Sequence, residues 1–167
     1  ANGCTVLGSD LQPDVVARAE ASGAIGVPPG ADVVQACLDA TGGHGVDGVL
    51  ICAGTSSDGP IEMAGAACRE KGRVVVVGAV GMNVPREPYF KKEVTVVISR
   101  SYGPGRYDPR YEEGGQDYPI GYVRFTEQRN LSAFLELIGS GRLAVDDLIT
   151  HRFAFDAAIE AYGLIEG

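Results

Sequence analysis

Positive charge and long apolar runs are both scarce in this sequence. Asp and Glu total 22 against 14 Lys and Arg, and the resulting net charge of −8 argues against a protein that binds nucleic acid or a membrane surface. No apolar run approaches the ~20 residues that a membrane span needs, and no basic start leads into an apolar signal region. Hydrophobic residues still make up 45% of the chain, which predicts an ordinary globular core in a cytoplasmic protein.

Metal-ligand patterns are also missing. The two histidines, His44 and His151, have no carboxylate or thiol at ligand spacing, so both are interpreted as structural residues. No Cys-x-x-Cys pair occurs, which argues against a zinc knuckle. The four scattered cysteines indicate reduced, buried thiols: Cys4, Cys37, Cys52 and Cys68.

What is present is an alternation of short apolar strands and amphipathic helices. This rhythm predicts an α/β fold with a doubly wound, mostly parallel sheet of the Rossmann type. The predicted strands cover residues 4–9, 24–27, 46–52, 73–77, 93–99 and 148–153, and the predicted helices cover 13–22, 32–40, 61–70, 126–140 and 156–164. We expect a single dinucleotide-binding domain over residues 1–167.

The valine run from Val74 to Val77 is the centre of this pattern. Four consecutive valines between glycines predict a strand that is buried on both faces. Gly72 stands where the preceding helix should end. Because ligands of such sheets bind at the carboxyl ends of the strands, the stretch from Gly78 to Gly81 is the first candidate for a site.

Two glycine motifs match the dinucleotide fingerprint by letter only. The motifs lie at residues 43–48 and 139–144, and in both cases a predicted helix precedes the glycines. Neither motif therefore lies in a strand-to-helix turn, which is the turn that receives a pyrophosphate. We therefore expect the first strand and its glycine-rich loop to precede Ala1. The predicted strand order is 3-2-(1)-4-5-6, with strand 1 missing and residues 4–9 as strand 2.

Asp10 is the sharpest candidate residue, because it ends the predicted second strand. A carboxylate there accepts hydrogen bonds from the adenosine ribose and repels a 2′-phosphate, which favours NAD over NADP. A plain turn aspartate before Pro13 is an equally good interpretation. Ordinary loops or tight turns are the alternatives for the other strand ends. The full set of candidate cofactor-binding residues is Asp10, Leu11, Ala53, Gly54, Thr55, Gly78, Ala79, Ser99 and Arg100.

A long segment, residues 101–122, follows the last of these strands. It is rich in glycine, proline and tyrosine and shows no periodicity. Such a long loop inside a compact domain is typically functional or partly disordered. Its basic and aromatic residues could bind a polar or anionic substrate, and a solvated flap or partner contact is the alternative: Arg100, Tyr102, Arg106, Tyr107, Arg110 and Tyr111.

Three stretches of the sequence resemble the cofactor-binding half of medium-chain dehydrogenases/reductases, the zinc-type alcohol and sorbitol dehydrogenase superfamily. They are residues 46–54, residues 72–78, and residues 149–162, which contain His151-Arg152-Phe153 near their start. Residues 101–108 and the Tyr-Pro-Ile-Gly-Tyr loop at 118–122 are similar to a bacterial subgroup of two-part oxidoreductases. In that subgroup such a half is followed by a glucose–fructose-oxidoreductase-like dehydrogenase.

The resemblance implies an NAD-dependent oxidoreductase that transfers a hydride between nicotinamide and an alcohol or sugar carbon. The family's catalytic zinc ligands lie mainly in a domain outside this sequence, so the fragment is expected to be inactive alone and to hold no zinc. The competing class is a non-catalytic nucleotide-binding or assembly module. A methyltransferase-type domain also places an acid after its second strand, but the ending at His151 argues against it.

The sheet predicted here has exposed, hydrophobic edges. Because an exposed edge tends to pair with another strand, a homodimer is expected. In the superfamily the last strand, residues 94–98 here, often pairs with its copy.

Overall fold

The computed structural model describes residues 3–166 and contains two small parallel sheets. The first sheet pairs β1 with β2, and the second has the order β3-β4-β5. The strand bounds are β1 Leu7–Ser9, β2 Ile25–Val27, β3 Val46–Ile51, β4 Cys68–Val76 and β5 Thr95–Ile98. The α/β, Rossmann-type fold predicted from the sequence is confirmed.

The gap expected for the missing strand lies between the two sheets. Within residues 3–166, no ladder hydrogen bond joins β1 to β3, the strands that would flank it. β1 and β2 run in register from the pair Leu7 and Ile25 to the pair Ser9 and Val27. The predicted order 3-2-(1)-4-5-6 thus becomes two separate sheets, and neither half closes onto the other.

Seven α-helices connect or follow these strands in the described chain. They are α1 Pro13–Ala21, α2 Val33–Ala40, α3 Gly59–Ala67, α4 Arg86–Lys92, α5 Pro109–Glu112, α6 Glu127–Gly139 and α7 Ala158–Glu166. Asp32 caps α2, because its carboxylate accepts a hydrogen bond from the Gln35 N–H. Within residues 3–166, no helix combines the length and the apolar character needed to cross a membrane.

The hydrophobic core lies between α3, α4 and one face of the three-stranded sheet. Ile61 of α3 and Val74 of β4 are fully buried, and Tyr89 of α4 packs beside them. The Tyr89 hydroxyl donates a 2.7 Å hydrogen bond to the Ile61 carbonyl, and burial raises the pKa of Tyr89 to about 12. Gly65 is required opposite this ring, because a Cβ there would overlap the Tyr89 side chain.

Lys92 satisfies the carboxyl end of α3. Its ammonium group donates to the carbonyls of Gly65, Ala66 and Cys68 at 3.2, 2.7 and 2.8 Å. These carbonyls lack partners inside the helix, and a positive charge at this end is favourable for the helix dipole. The contact therefore joins α4 to the point where α3 passes into β4.

The opposite face of the sheet is largely open. Leu50 is 71% exposed and Val97 40% exposed, and both lie in register with the partly buried Val75. The prediction of a strand buried on both faces is therefore wrong, since of the four consecutive valines, residues 74–77, only Val74 and Val76 are buried. The reason is that α3 and α4 cover one side only.

Several sequence-based boundaries also differ. Residues 148–153 form no strand in the described structure, because an extended segment becomes a strand only by pairing, and these residues are exposed. Asp156 lies inside a short 3₁₀ turn, Phe155–Ala157, and does not cap α7. Gly72 lies within β4, near a register shift, because α3 already ends at Ala67. Helix α4 was not predicted.

The cysteines follow the expectation only in part. Cys37 and Cys68 are buried, and burial raises the pKa of both thiols. Cys4 and Cys52 are exposed, so the prediction of buried thiols is wrong for these two. All four are free thiols.

Ile61→Ala should lower the free energy of unfolding by about 2–5 kcal/mol, because it leaves a cavity in the fully buried core. Leu50→Ala, on the open face, should cost at most about 1 kcal/mol. Urea denaturation of both variants measures the two values. Equal losses would contradict the one-sided core.

Candidate functional site

The carboxyl ends of β3, β4 and β5 meet at one edge of the sheet. The backbone N–H of Thr55 donates to the Ala79 carbonyl at 2.8 Å, and that of Gly78 donates to the Ile51 carbonyl at 2.9 Å. On the other side of β4, the Ser99 N–H donates to the Val76 carbonyl at 2.8 Å. The structure thus brings together the candidates that follow these three strands.

Gly78 and Gly54 shape this edge in different ways. A Cβ at Gly78 would overlap the Ala53 carbonyl oxygen, so the two strand ends approach as closely as they do because residue 78 is glycine. A Cβ at Gly54 would meet nothing within 4 Å. The backbone at Gly54 is therefore open to a ligand, while the backbone at Gly78 is held in place.

Asp58 and Asn83 fasten the loop after β3 to the loop after β4. The Asp58 carboxylate accepts from the backbone N–H of Asn83 at 3.0 Å and from its side-chain Nδ2 at 2.8 Å. These hydrogen bonds, the side-chain one first, lower the pKa of Asp58 below its ordinary value. The Gly81 N–H adds a 3.0 Å bond to the Ser57 carbonyl.

The sequence analysis missed this pair of residues. Asp58 precedes Gly59 and Pro60 at the start of α3, which is a typical capping position, but its side chain makes no capping hydrogen bond. Its partner lies 25 residues away in a stretch without periodicity. A local signal marks the aspartate, and none marks the asparagine.

Asp10 and Leu11 follow β1, in the other sheet. The Asp10 carboxylate accepts a 2.9 Å hydrogen bond from the Gln12 N–H just before Pro13, which is the turn role that the sequence also allowed. Its side chain is exposed, and Leu11 is 90% exposed. The ribose-binding role of Asp10 stays a prediction.

Arg100 and the segment after it are ordered by aromatic contacts. The Arg100 guanidinium lies 4.9 Å from the centre of the Tyr107 ring, and the Arg106 guanidinium lies 4.4 Å from the same centre. Tyr111 and Tyr118 stack with their ring centres 5.8 Å apart. The 101–122 segment thus makes aromatic contacts within itself, although Gly105 is its one buried residue.

Hydrogen bonds and ion pairs also connect residues of this segment. The Tyr118 hydroxyl donates to the Asp108 carboxylate, and this bond lowers the pKa of Asp108 and raises the pKa of Tyr118. Arg106 pairs with Glu112 at 2.5 Å, which raises the pKa of the guanidinium and lowers the pKa of the carboxyl. Arg129 of α6 pairs with Asp117 at 2.6 Å.

The N-terminus of α6 closes the segment. The Glu127 N–H donates to the Pro104 carbonyl at 2.8 Å, and the Gln128 N–H donates to the Tyr111 hydroxyl at 2.9 Å. The Asn130 side chain donates to the Tyr102 carbonyl at 2.9 Å. The bonds from Glu127 and Gln128 use helix N–H groups that have no partner inside α6.

Neither histidine belongs to a metal site in the described chain. His44 lies in the turn between α2 and β3, and His151 contacts the Thr150 hydroxyl at 2.9 Å. Within residues 3–166, no three His, Cys, Asp or Glu side chains are grouped so that they could hold a metal ion. The described residues therefore do not fit a zinc ion.

Three solved structures show the same fold. Alcohol dehydrogenase TADH from Thermus sp. ATN1 matches 97% of this chain and 41% of its own, with a TM-score of 0.67 and 22% identity. 2R,3R-butanediol dehydrogenase from Bacillus subtilis matches 96% and 40%, with a TM-score of 0.69 and 23% identity. A short chain alcohol dehydrogenase from E. coli CFT073, complexed with NADH, matches 97% and 41%, with a TM-score of 0.68 and 17% identity.

The chain spans about two fifths of the length of these structures. No curated protein matches its sequence. Residues 1–113, however, match the zinc-binding dehydrogenase family. That stretch is more than half of the chain and includes all five strands. The chain therefore belongs to the zinc-binding dehydrogenase family, within the medium-chain dehydrogenases/reductases that the sequence resembles.

Proposed function

We propose that this chain is the cofactor-binding domain of an NAD-dependent oxidoreductase that transfers a hydride between nicotinamide and an alcohol or sugar carbon. Its family membership supports an oxidoreductase. The observation that carries the proposal is the joined edge of β3 and β4, where Gly54 is open and the Gly78 backbone is fixed. In doubly wound sheets this edge is the ligand side.

In this proposal the cofactor lies along the strand ends. Asp10 and Leu11 serve the adenosine ribose, Ala53 to Thr55 the middle of the dinucleotide, and Gly78, Ala79 and Ser99 the nicotinamide half. The open backbone at Gly54 fits such a ligand, because a Cβ added there would meet no atom within 4 Å. Nicotinamide, when bound, supplies the hydride acceptor or donor.

We also propose a setting for this domain. The 167 residues act as a single unit with the 101–122 insertion, they do not turn over substrate alone, and they work in the cytoplasm. Residues 101–122 support a two-part oxidoreductase with a glucose–fructose-oxidoreductase-like second part, because the resemblance to that subgroup is carried there. The competing function is a non-catalytic assembly module, which would keep the fold without the cofactor.

Binding of NADH separates these two functions. We expect Asp10→Asn to weaken NADH binding about tenfold and to narrow the preference over NADPH, because the variant loses the charge that holds the ribose and repels a 2′-phosphate. Fluorescence titration of NADH and NADPH measures both effects.

Asp14→Asn is the matched control, since Asp14 pairs with Arg18 on the exposed side of α1. Its NADH affinity should equal that of the wild type. An unchanged affinity in Asp10→Asn would refute the ribose role. No binding of NADH to the wild type at millimolar concentration would favour the assembly module.

The loop contact of Asp58 should give stability a pH dependence. Because the folded-state pKa of Asp58 is depressed, its contribution is present at neutral pH and is lost as the pH falls through that lowered value. The melting temperature of Asp58→Asn should therefore lie below that of the wild type at pH 7, and the difference should disappear as the pH falls through the lowered pKa of Asp58. Asp147→Asn, in an exposed 3₁₀ turn, should match the wild type throughout. A difference in melting temperature between Asp58→Asn and the wild type that stays constant with pH would contradict this role.

The exposed edge strand β5 supports a homodimer, since Val97 and Ile98 are 40% and 61% exposed. We expect the wild type to elute from size-exclusion chromatography at twice the mass of one chain and Val97→Lys to elute as a monomer. Val6→Lys, beside the gap at β1, should remain dimeric. A monomeric wild type would refute the dimer, and a monomeric Val6→Lys alone would move the interface to the gap.

A further inference from the structure

A groove lies beside the carboxyl end of β5, next to the strand end at which the nicotinamide is proposed to lie. Its volume is about 410 Å³, within the range of small-molecule sites. Ser99 and Arg100 line the groove, together with Gly103, Gly105 and Tyr118 of the 101–122 segment.

The acidic side chains near this groove already have partners. Glu112 is paired with Arg106, and the Asp108 carboxylate accepts hydrogen bonds from the Tyr118 hydroxyl and the Arg110 N–H. Arg100 is exposed and forms no ion pair with any carboxylate in residues 3–166. The arginine that lines the groove is therefore accessible to an anion.

Arg100 is also held in position. Its guanidinium makes a cation–π contact with the Tyr107 ring, and the Arg106 guanidinium contacts the same ring. Two cations on one ring repel each other, and Glu112 attracts both of them but forms an ion pair only with Arg106. An anion at Arg100 would reduce the remaining repulsion between the two guanidinium groups.

Unused donors lie in the same region. The carbonyls of Gly103 and Gly105 accept hydrogen bonds, but their own N–H groups donate to no backbone carbonyl within residues 3–166, although Gly105 is buried. The Nε of Arg106 is buried and has no partner in that part of the chain. Backbone N–H groups beside a guanidinium are a typical anion receptor.

We propose that this groove binds the anionic group, a carboxylate or a phosphate, of the substrate, and that Arg100 is the residue that selects it. The assignment to a substrate rests on the proposed function, because the groove adjoins the strand end given to the nicotinamide. Ser99 and the glycine N–H groups supply hydrogen bonds, and the guanidinium supplies the charge. The substrate class is thus an anionic sugar or polyol, as opposed to a neutral alcohol.

Calorimetry on the 167-residue chain, with and without saturating NADH, tests this specificity. The probes are glucuronate, glucose 6-phosphate and glucose, which distinguish a carboxylate, a phosphate and a neutral sugar. We expect at least one anion to bind more than tenfold tighter than glucose. Arg100→Gln should abolish that difference, and Arg100→Lys should keep part of it, because lysine retains the charge and loses the planar fork.

Arg124→Gln is the matched control, since Arg124 also stacks on a ring, that of Phe125, but does not line the groove. It should bind the anions as the wild type does. Equal binding of glucose and both anions, binding of none of them, or an unchanged anion affinity in Arg100→Gln would overturn the proposal. NADH binding is scored separately. A chain that binds NADH without an anion preference keeps the proposed function and loses this inference. A chain that prefers the anions but does not bind NADH loses the proposed function, and with it the assignment of the anion site to a substrate.

Discussion

The packing of α3 and α4 against one face of the three-stranded sheet is the constraint on which the rest of the structure depends. Ile61 and Val74 exclude water completely, and the Tyr89 hydroxyl reaches the Ile61 carbonyl within that core. Because Lys92 binds the last carbonyls of α3, the helix ends where β4 begins. The position of β4, and with it the edge at Gly78, follows from this packing.

From this core the order extends outward in two steps. The Asp58 and Asn83 contact first joins the loops after β3 and β4, so that the candidate ligand edge is one connected surface. The segment after β5 then folds on itself and is closed by the N-terminus of α6. A loop of this length would otherwise lose much conformational entropy on binding. Because the segment is already folded before a ligand binds, little further entropy is lost on binding.

The sequence predicted those parts of the fold that local patterns control. Alternating apolar periods located five strands and most helices, and residues 43–48 follow α2 and lead into β3, in the helix-before-strand order that the sequence predicted. Long-range pairing was beyond such patterns. An extended stretch such as 148–153 looks like a strand whether or not a partner exists, and burial on both faces of Val75 depends on helices that the apolar run does not specify. The partner of Asp58 was hidden for the same reason, while the candidates at Gly54 and Gly78 were found because they end strands.

The open sheet face has a consequence for how the chain behaves in solution. Leu50, Val75 and Val97 form a row of apolar side chains in register, and nothing within residues 3–166 covers its exposed members. The net charge of −8 opposes close approach of two such faces at low ionic strength. Added salt screens that repulsion over about 10 Å at 0.1 M and leaves the attraction between apolar surfaces intact. The solubility of the chain therefore decreases as the ionic strength rises, and concentrated salt favours its precipitation.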